Sequence, residues 1–150
     1  MRKRIIFVAI LTMLTALILG ACSSAKESTT KEAKYKEIPQ SAIQSTVGDM
    51  KTRENIKDAT FEVKGNKINM TLTVDDAKLS GQSGKSLAQS YADSYLRVIS
   101  NYVDGSNPKS SGDYGKVYDG YFVNIVVVDS EGFTLIEGEK YPSFKSVTWK

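Results

Sequence analysis

The chain has 150 residues, 20 basic and 17 acidic, giving a formal net charge of +3, with one cysteine and no histidine. A single cysteine excludes a disulfide within the chain, and the lack of histidine removes the commonest general base and metal ligand. This length accommodates one domain with an extension, and that domain has to be held by packing alone.

Arg2, Lys3 and Arg4 open the chain, and Ile5 to Gly20 is apolar except for Thr12 and Thr15. Small residues then precede Cys22, which is the layout of a secretory signal. The apolar run is short for a spanning helix, which takes about 20 such residues. Leu19-Gly20-Ala21-Cys22 resembles the lipobox of bacterial lipoprotein precursors. That resemblance covers about the first 24 residues. It implies cleavage between Ala21 and Cys22 and a diacylglyceryl group on the Cys22 thiol. Two acyl chains are what stable anchoring to a bilayer takes. Segment 1–21 is therefore read as a signal peptide. Without it, 129 residues remain with 17 basic and 17 acidic side chains, a formal charge of zero. That balance removes the electrostatic argument for nucleic acid, and no run of lysine or arginine announces a polybasic membrane patch. Lysine far outnumbers arginine (only Arg2, Arg4, Arg53 and Arg97), as in AT-rich genomes, which points to a Gram-positive host.

Ser23 to Glu37 has one aromatic and no aliphatic residue larger than alanine. It cannot bury enough surface to offset its ordering entropy, so 22–37 reads as a lipidated cysteine and disordered tether. Its span is roughly 50 Å extended and about 20 Å as a coil. Segment 38–150 reads as one domain. Ser41-Ala-Ile-Gln44 matches a capping box, and Ile43, Thr46, Val47 and Met50 share one helical face, predicting a short helix that ends near Gly48 or Arg53. Ala59 to Val74 predicts a hairpin about Gly65-Asn66, with Phe61 and Val63 alternating in one arm and Ile68, Met70, Leu72 and Val74 in the other.

Asp75 to Lys85 reads as a loop with Gly81 and Gly84, and Ser86-Leu-Ala-Gln89 as a second capping box. From there Leu87, Ala88, Tyr91, Ala92, Tyr95, Val98, Ile99 and Tyr102 keep helical spacing, and Gly105 follows, predicting a helix over 87–103. A loop over 104–115 leads to a central strand from Val117 to Val128. The turn at Asp129-Ser-Glu-Gly132, an arm over Phe133 to Ile136 and an edge strand within Phe144 to Trp149 complete the chain. The expected class is α+β: an antiparallel sheet covered by one long helix, in the order α-β-β-α-β-β-(β), with a general likeness to cystatin-like or NTF2-like domains.

Chemistry is hard to place on these residues. Asp75-Asp76 and Asp129-Ser-Glu131 are too sparse for a calcium loop and read as turn residues, so no metal and no cofactor is expected. Ser-x-x-Lys occurs at Ser23/Lys26, Ser28/Lys31 and Ser106/Lys109, none in the helical setting a serine nucleophile needs. Gly81-Gln-Ser-Gly84 and Gly112-Asp-Tyr-Gly115 lack the setting and lysine of a phosphate loop. The candidate recognition loop is 104–120 with Tyr114 and Tyr118, joined by Tyr121 at the strand start, because tyrosine gives large contact area at low entropy cost. Tyr91, Tyr95 and Tyr102 read as core lining.

These features describe a lipid-anchored protein on the extracytoplasmic face of a cell membrane, whose small domain binds a protein or cell-envelope partner without catalysis. The alternative is a small-ligand carrier with a cavity between helix and sheet lined by Tyr91, Tyr95 and Phe122.

Overall fold

A computed structural model describes residues 35–75, 81–110 and 112–150, with side chains omitted for 81–83. The expected signal peptide, the Ala21–Cys22 cleavage site, the Cys22 lipidation site and the tether up to residue 34 lie outside the described residues, as does Asp76. Residues 34–150 form one compact unit.

The elements run α1 (Gln40–Lys51), β1 (Ile56–Lys64), β2 (Lys67–Val74), α2 (Gly81–Val103), β3 (Phe122–Val128), β4 (Thr134–Lys140) and β5 (Thr148–Trp149), with a 3₁₀ turn at Lys116–Tyr118. The class is α+β with the expected element order. The five strands lie in chain order across one sheet. β1–β2, β3–β4 and β4–β5 are antiparallel, whereas β2–β3 is parallel. The sheet is thus mixed rather than antiparallel throughout. α2 carries the chain back along β2, so β3 starts level with the start of β2 and runs the same way, as a helical crossover requires.

Alternation divides the sheet into two unequal faces. Ala59, Phe61, Ile68, Met70, Leu72, Val74, Val123, Ile125, Val127 and Ile136 are buried on the inner face. α1 lies against β1 and α2, and α2 lies across β3 and β4, so both helices cover that same face. Ile43 and Met50 of α1 join Tyr95, Leu96 and Ile99 of α2 in a single core with the strands. Each fully buried aliphatic side chain contributes about 1.5–3 kcal/mol, so this face is the main source of stability.

Several boundaries differ from the sequence reading. α1 begins one residue before Ser41, behind Pro39, with no side-chain cap, and runs through Gly48 to Lys51. α2 begins at Gly81 instead of Leu87, so Ser86 lies inside it and its carbonyl accepts from Ser90 Oγ at 3.0 Å. A glycine costs only about 1 kcal/mol within a helix, which packing along so long an element outweighs. β3 starts at Phe122 instead of Val117, because Asp119 N donates to Lys116 O and Tyr121 N to Tyr118 O, closing tight turns before the strand. Packing begins at Tyr35, ahead of the expected boundary at Ile38: its ring packs at a 50° tilt against Tyr121 with centroids 4.7 Å apart, and Tyr121 Oη donates to Lys36 O at 2.9 Å.

Gly138 faces Trp149 across the β4–β5 pair. A Cβ there would sit 2.6 Å from both Val147 Cγ1 and Trp149 Cζ3. Gly138→Ala should therefore displace β5 and lower stability by about 1–3 kcal/mol, the usual range for overpacking. Trp149 is the chain's single tryptophan, so its emission should shift to the red. An unshifted spectrum with unchanged denaturant midpoint would contradict this packing.

Candidate functional site

The three tyrosines expected to form a recognition loop are all buried. Tyr114 is 3% exposed, and Tyr118 and Tyr121 are fully buried. Each hydroxyl is used inside the fold. Tyr114 Oη donates to Asp93 Oδ1 at 2.6 Å, Tyr118 Oη to the helical carbonyl of Leu96 at 2.9 Å, and Tyr121 Oη to Lys36 O. They tie the 104–121 segment, the α2 helix and the incoming chain together, so they offer no contact surface to a partner. Residue type alone could not separate a displayed tyrosine from a buried one.

The same segment is held at closer range by small residues. Ser100 Oγ of α2 donates to Tyr114 O at 2.8 Å. Gly115 follows at φ 73°, and a Cβ there would lie 2.7 Å from Ser100 Oγ. The loop thus lies directly on the helix. Arg97 adds bonds to the carbonyls of Asp93 and Lys109, at 3.1 and 3.0 Å. The Ser106/Lys109 pair lies in this structural loop, where Ser106 N donates to Asp104 Oδ1 at 2.9 Å.

Lys140 is the residue that sequence reasoning missed. It is 3% exposed at the end of β4, and its Nζ donates to Tyr118 O at 3.0 Å and Tyr141 O at 3.5 Å. Burial pushes its pKa down, with partial opposition from the charge of Asp119. The signal was present in the alternation, since Ile136, Gly138 and Lys140 share one phase. Burial pushes the tyrosines the other way: Tyr95 up, with the Asp58 charge adding to it, Tyr114 up, reinforced by its bond to Asp93, and Tyr118 and Tyr121 up as well. Among the described residues no three His, Cys, Asp or Glu side chains gather as metal ligands. Asp129 acts as a turn residue, its Oδ1 accepting from Glu131 N and Phe133 N at 3.0 and 2.8 Å.

The cavity expected between Tyr91, Tyr95 and Phe122 is not formed by those residues. Tyr95 packs inward against Phe61 and donates to Thr60 O, whereas Phe122 points from the opposite face against Tyr141. Tyr91 Oη accepts from Asn55 Nδ2 at the other end of the sheet, and Tyr102, expected in the core, is 46% exposed.

What remains open is the outer face of the sheet, over which no described helix lies. Its rows, read from the strand registers, are Asp58–Thr73–Val128–Thr134, Thr60–Thr71–Val126–Glu137, Glu62–Asn69–Asn124–Glu139 and Lys64–Lys67–Phe122. The last row continues into Tyr141, whose ring meets Phe122 edge-on at 5.2 Å and Phe144 at 6.3 Å. Asn124 Oδ1 is buried among these side chains with no hydrogen-bond partner. Val126 and Val128 stay partly exposed on this face. Comparison with protein-family models, curated proteins and solved structures finds no match to the chain, so nothing there ties the domain to cystatin-like or NTF2-like folds.

The raised tyrosines fix the sign of the alkaline response. A phenol that ionises less readily when folded stabilises the fold below its unfolded pKa, near 10, and that stability is lost as pH rises beyond it. The slope is about 1.4 kcal/mol per pH unit for each phenol that ionises only on unfolding. Lys140 acts oppositely just below its ordinary pKa of 10.5, because there the unfolded chain holds the extra proton. Four tyrosines outweigh one lysine, so the melting temperature should fall steeply above pH 10. Tyr118→Phe should flatten that fall and cost about 1 kcal/mol at neutral pH, while Tyr118→Ala should cost about 3–5 kcal/mol. A Tyr118→Ala variant of native stability would return this side chain to the surface.

Proposed function

We propose that the chain is a membrane-anchored extracytoplasmic lipoprotein whose α+β domain is a non-enzymatic binding module for a protein or cell-envelope partner. The observation that carries this reading is Leu19-Gly20-Ala21-Cys22 at the end of a basic-then-apolar leader, with Cys22 the chain's single cysteine. Two acyl chains on that thiol would hold the protein stably at a bilayer.

The domain's own features support binding over catalysis. Its buried ionisable side chains have partners inside the fold: Asp93 accepts from Tyr114, and Lys140 is held by two carbonyls. The sheet face over which no described helix lies supplies instead a surface of mixed character, with Thr71, Thr73, Val126 and Val128 partly exposed beside Glu137. A partly apolar surface carrying hydrogen-bonding groups is what a protein interface uses.

Cys22→Ala should abolish incorporation of labelled fatty acid and leave a precursor with its leader attached. Acyl label that survives the substitution would overturn the anchor. A photo-crosslinking residue at Val126 should capture one defined species in cells, and the same residue placed at Glu54, beyond the far edge of the sheet, should not. Equal capture from both positions would remove the sheet face as the partner surface.

A further inference from the structure

We propose that the near end of the sheet is a membrane-docking rim for an anionic bilayer surface, so that the domain stands on its end against the membrane that anchors it. This rests on the lipoprotein reading for the source of the bilayer, and on separate features of the fold for the surface.

The rim lies where the β1–β2 turn, the start of β3 and the end of β4 come level, as the pairing of Lys64 with Lys67 and of Lys67 with Phe122 shows. Its outward row holds Phe122, Tyr141 and Phe144, joined edge to edge, with Tyr141 48% and Phe144 62% exposed. Exposed lysines accompany them: Lys64 and Lys67 in the same row as Phe122, and Lys145 next to Phe144 in the chain. No basic run announces this in the sequence, because Lys64 and Lys67, which flank the β1–β2 turn, are remote in the chain from Lys145. Glu62 and Asp119 temper the charge, the former paired with Lys64 at 3.0 Å. Amphipathic rings with lysines beside them are the combination that settles at a bilayer's headgroup level, and lysines near an anionic leaflet are attracted to it.

The point at which the chain enters the fold selects a bilayer as the occupant. Tyr35 packs against Tyr121, the residue before Phe122, and its hydroxyl lies against the Gly65 turn. The anchored chain therefore joins the domain at the same end as the aromatic row. Only twelve residues lie between Cys22 and Tyr35. A coil of that length spans about 20 Å, and even fully extended it reaches about 45 Å. The rim is thereby kept close to headgroups at high effective concentration. The opposite end, at the Asp129–Gly132 turn, carries Asp129 and Glu131 beside an exposed Phe133 and is held farther away.

The test uses the chain from residue 22 with Cys22→Ser, so that no lipid assists, sedimented with vesicles. Phosphatidylglycerol-rich vesicles should retain it at low salt, and phosphatidylcholine vesicles should retain at least fivefold less. Combined Tyr141→Ala and Phe144→Ala should lower the bound fraction at least fivefold, and Lys64→Glu with Lys145→Glu should do the same while removing its salt dependence. Phe133→Ala, an equally exposed ring at the far end, should leave binding unchanged. Failure to bind anionic vesicles, equal binding to both lipids, or an equal loss with Phe133→Ala would overturn the rim. Acyl labelling of the native chain separates the two readings. Vesicle binding without label on Cys22 keeps the rim and removes the anchor, whereas label without vesicle binding keeps the anchor and removes the rim.

Discussion

Burial on one face only is the constraint on which the rest of the structure depends. Both helices lie on the inner face, so every inward position on β1 to β4 must be apolar, small or internally bonded, and every outward position is released from that demand. A strand's side chains alternate, so each residue's assignment follows from its phase. The phase that places Ile136 in the core also buries Gly138 and Lys140, and turns Glu137 and Glu139 outward.

The long segment between α2 and β3 is shaped by the same demand. It closes the near end of the core by inserting Tyr114, Val117, Tyr118 and Tyr121 inward. A buried hydroxyl left unbonded would cost about 1–3 kcal/mol, and each of the three phenols has an acceptor. Lys140 serves the reverse need. The carbonyl of Tyr118, turned inward by the 3₁₀ turn, accepts from its ammonium, and the charge is tolerated because carbonyl oxygens accept hydrogen bonds from it. Tyr121 then fixes the incoming chain through Lys36 O, which links the point where the chain enters the fold to the sheet end that bears Phe122 and Tyr141.

Much of this was legible in the sequence. The alternation of Ile68, Met70, Leu72 and Val74 and the helical spacing from Leu87 to Ile99 each identified the element and its buried side. Helix starts were less legible. Ser41 and Ser86 match a capping pattern, yet side-chain caps are worth about 1 kcal/mol, and packing carried both helices past them. Tyr118 and Tyr102 were exchanged between surface and core because spacing cannot tell where a loop folds back or where a helix runs past the sheet edge. The parallel β2–β3 pairing and the gathering of Lys64, Lys67, Tyr141 and Phe144 are products of topology, which no local pattern carries.

The most direct test of this division between a closed inner face and an open outer one is chemical modification of tyrosine in the native protein, read residue by residue by mass spectrometry. Tyr102 and Tyr141 should react rapidly, while Tyr95, Tyr118 and Tyr121 should react only on the timescale of unfolding. Rapid modification of Tyr118 or Tyr121 in the folded chain would contradict the account, because it would place the 104–121 segment on the surface and leave the inner face without its closure.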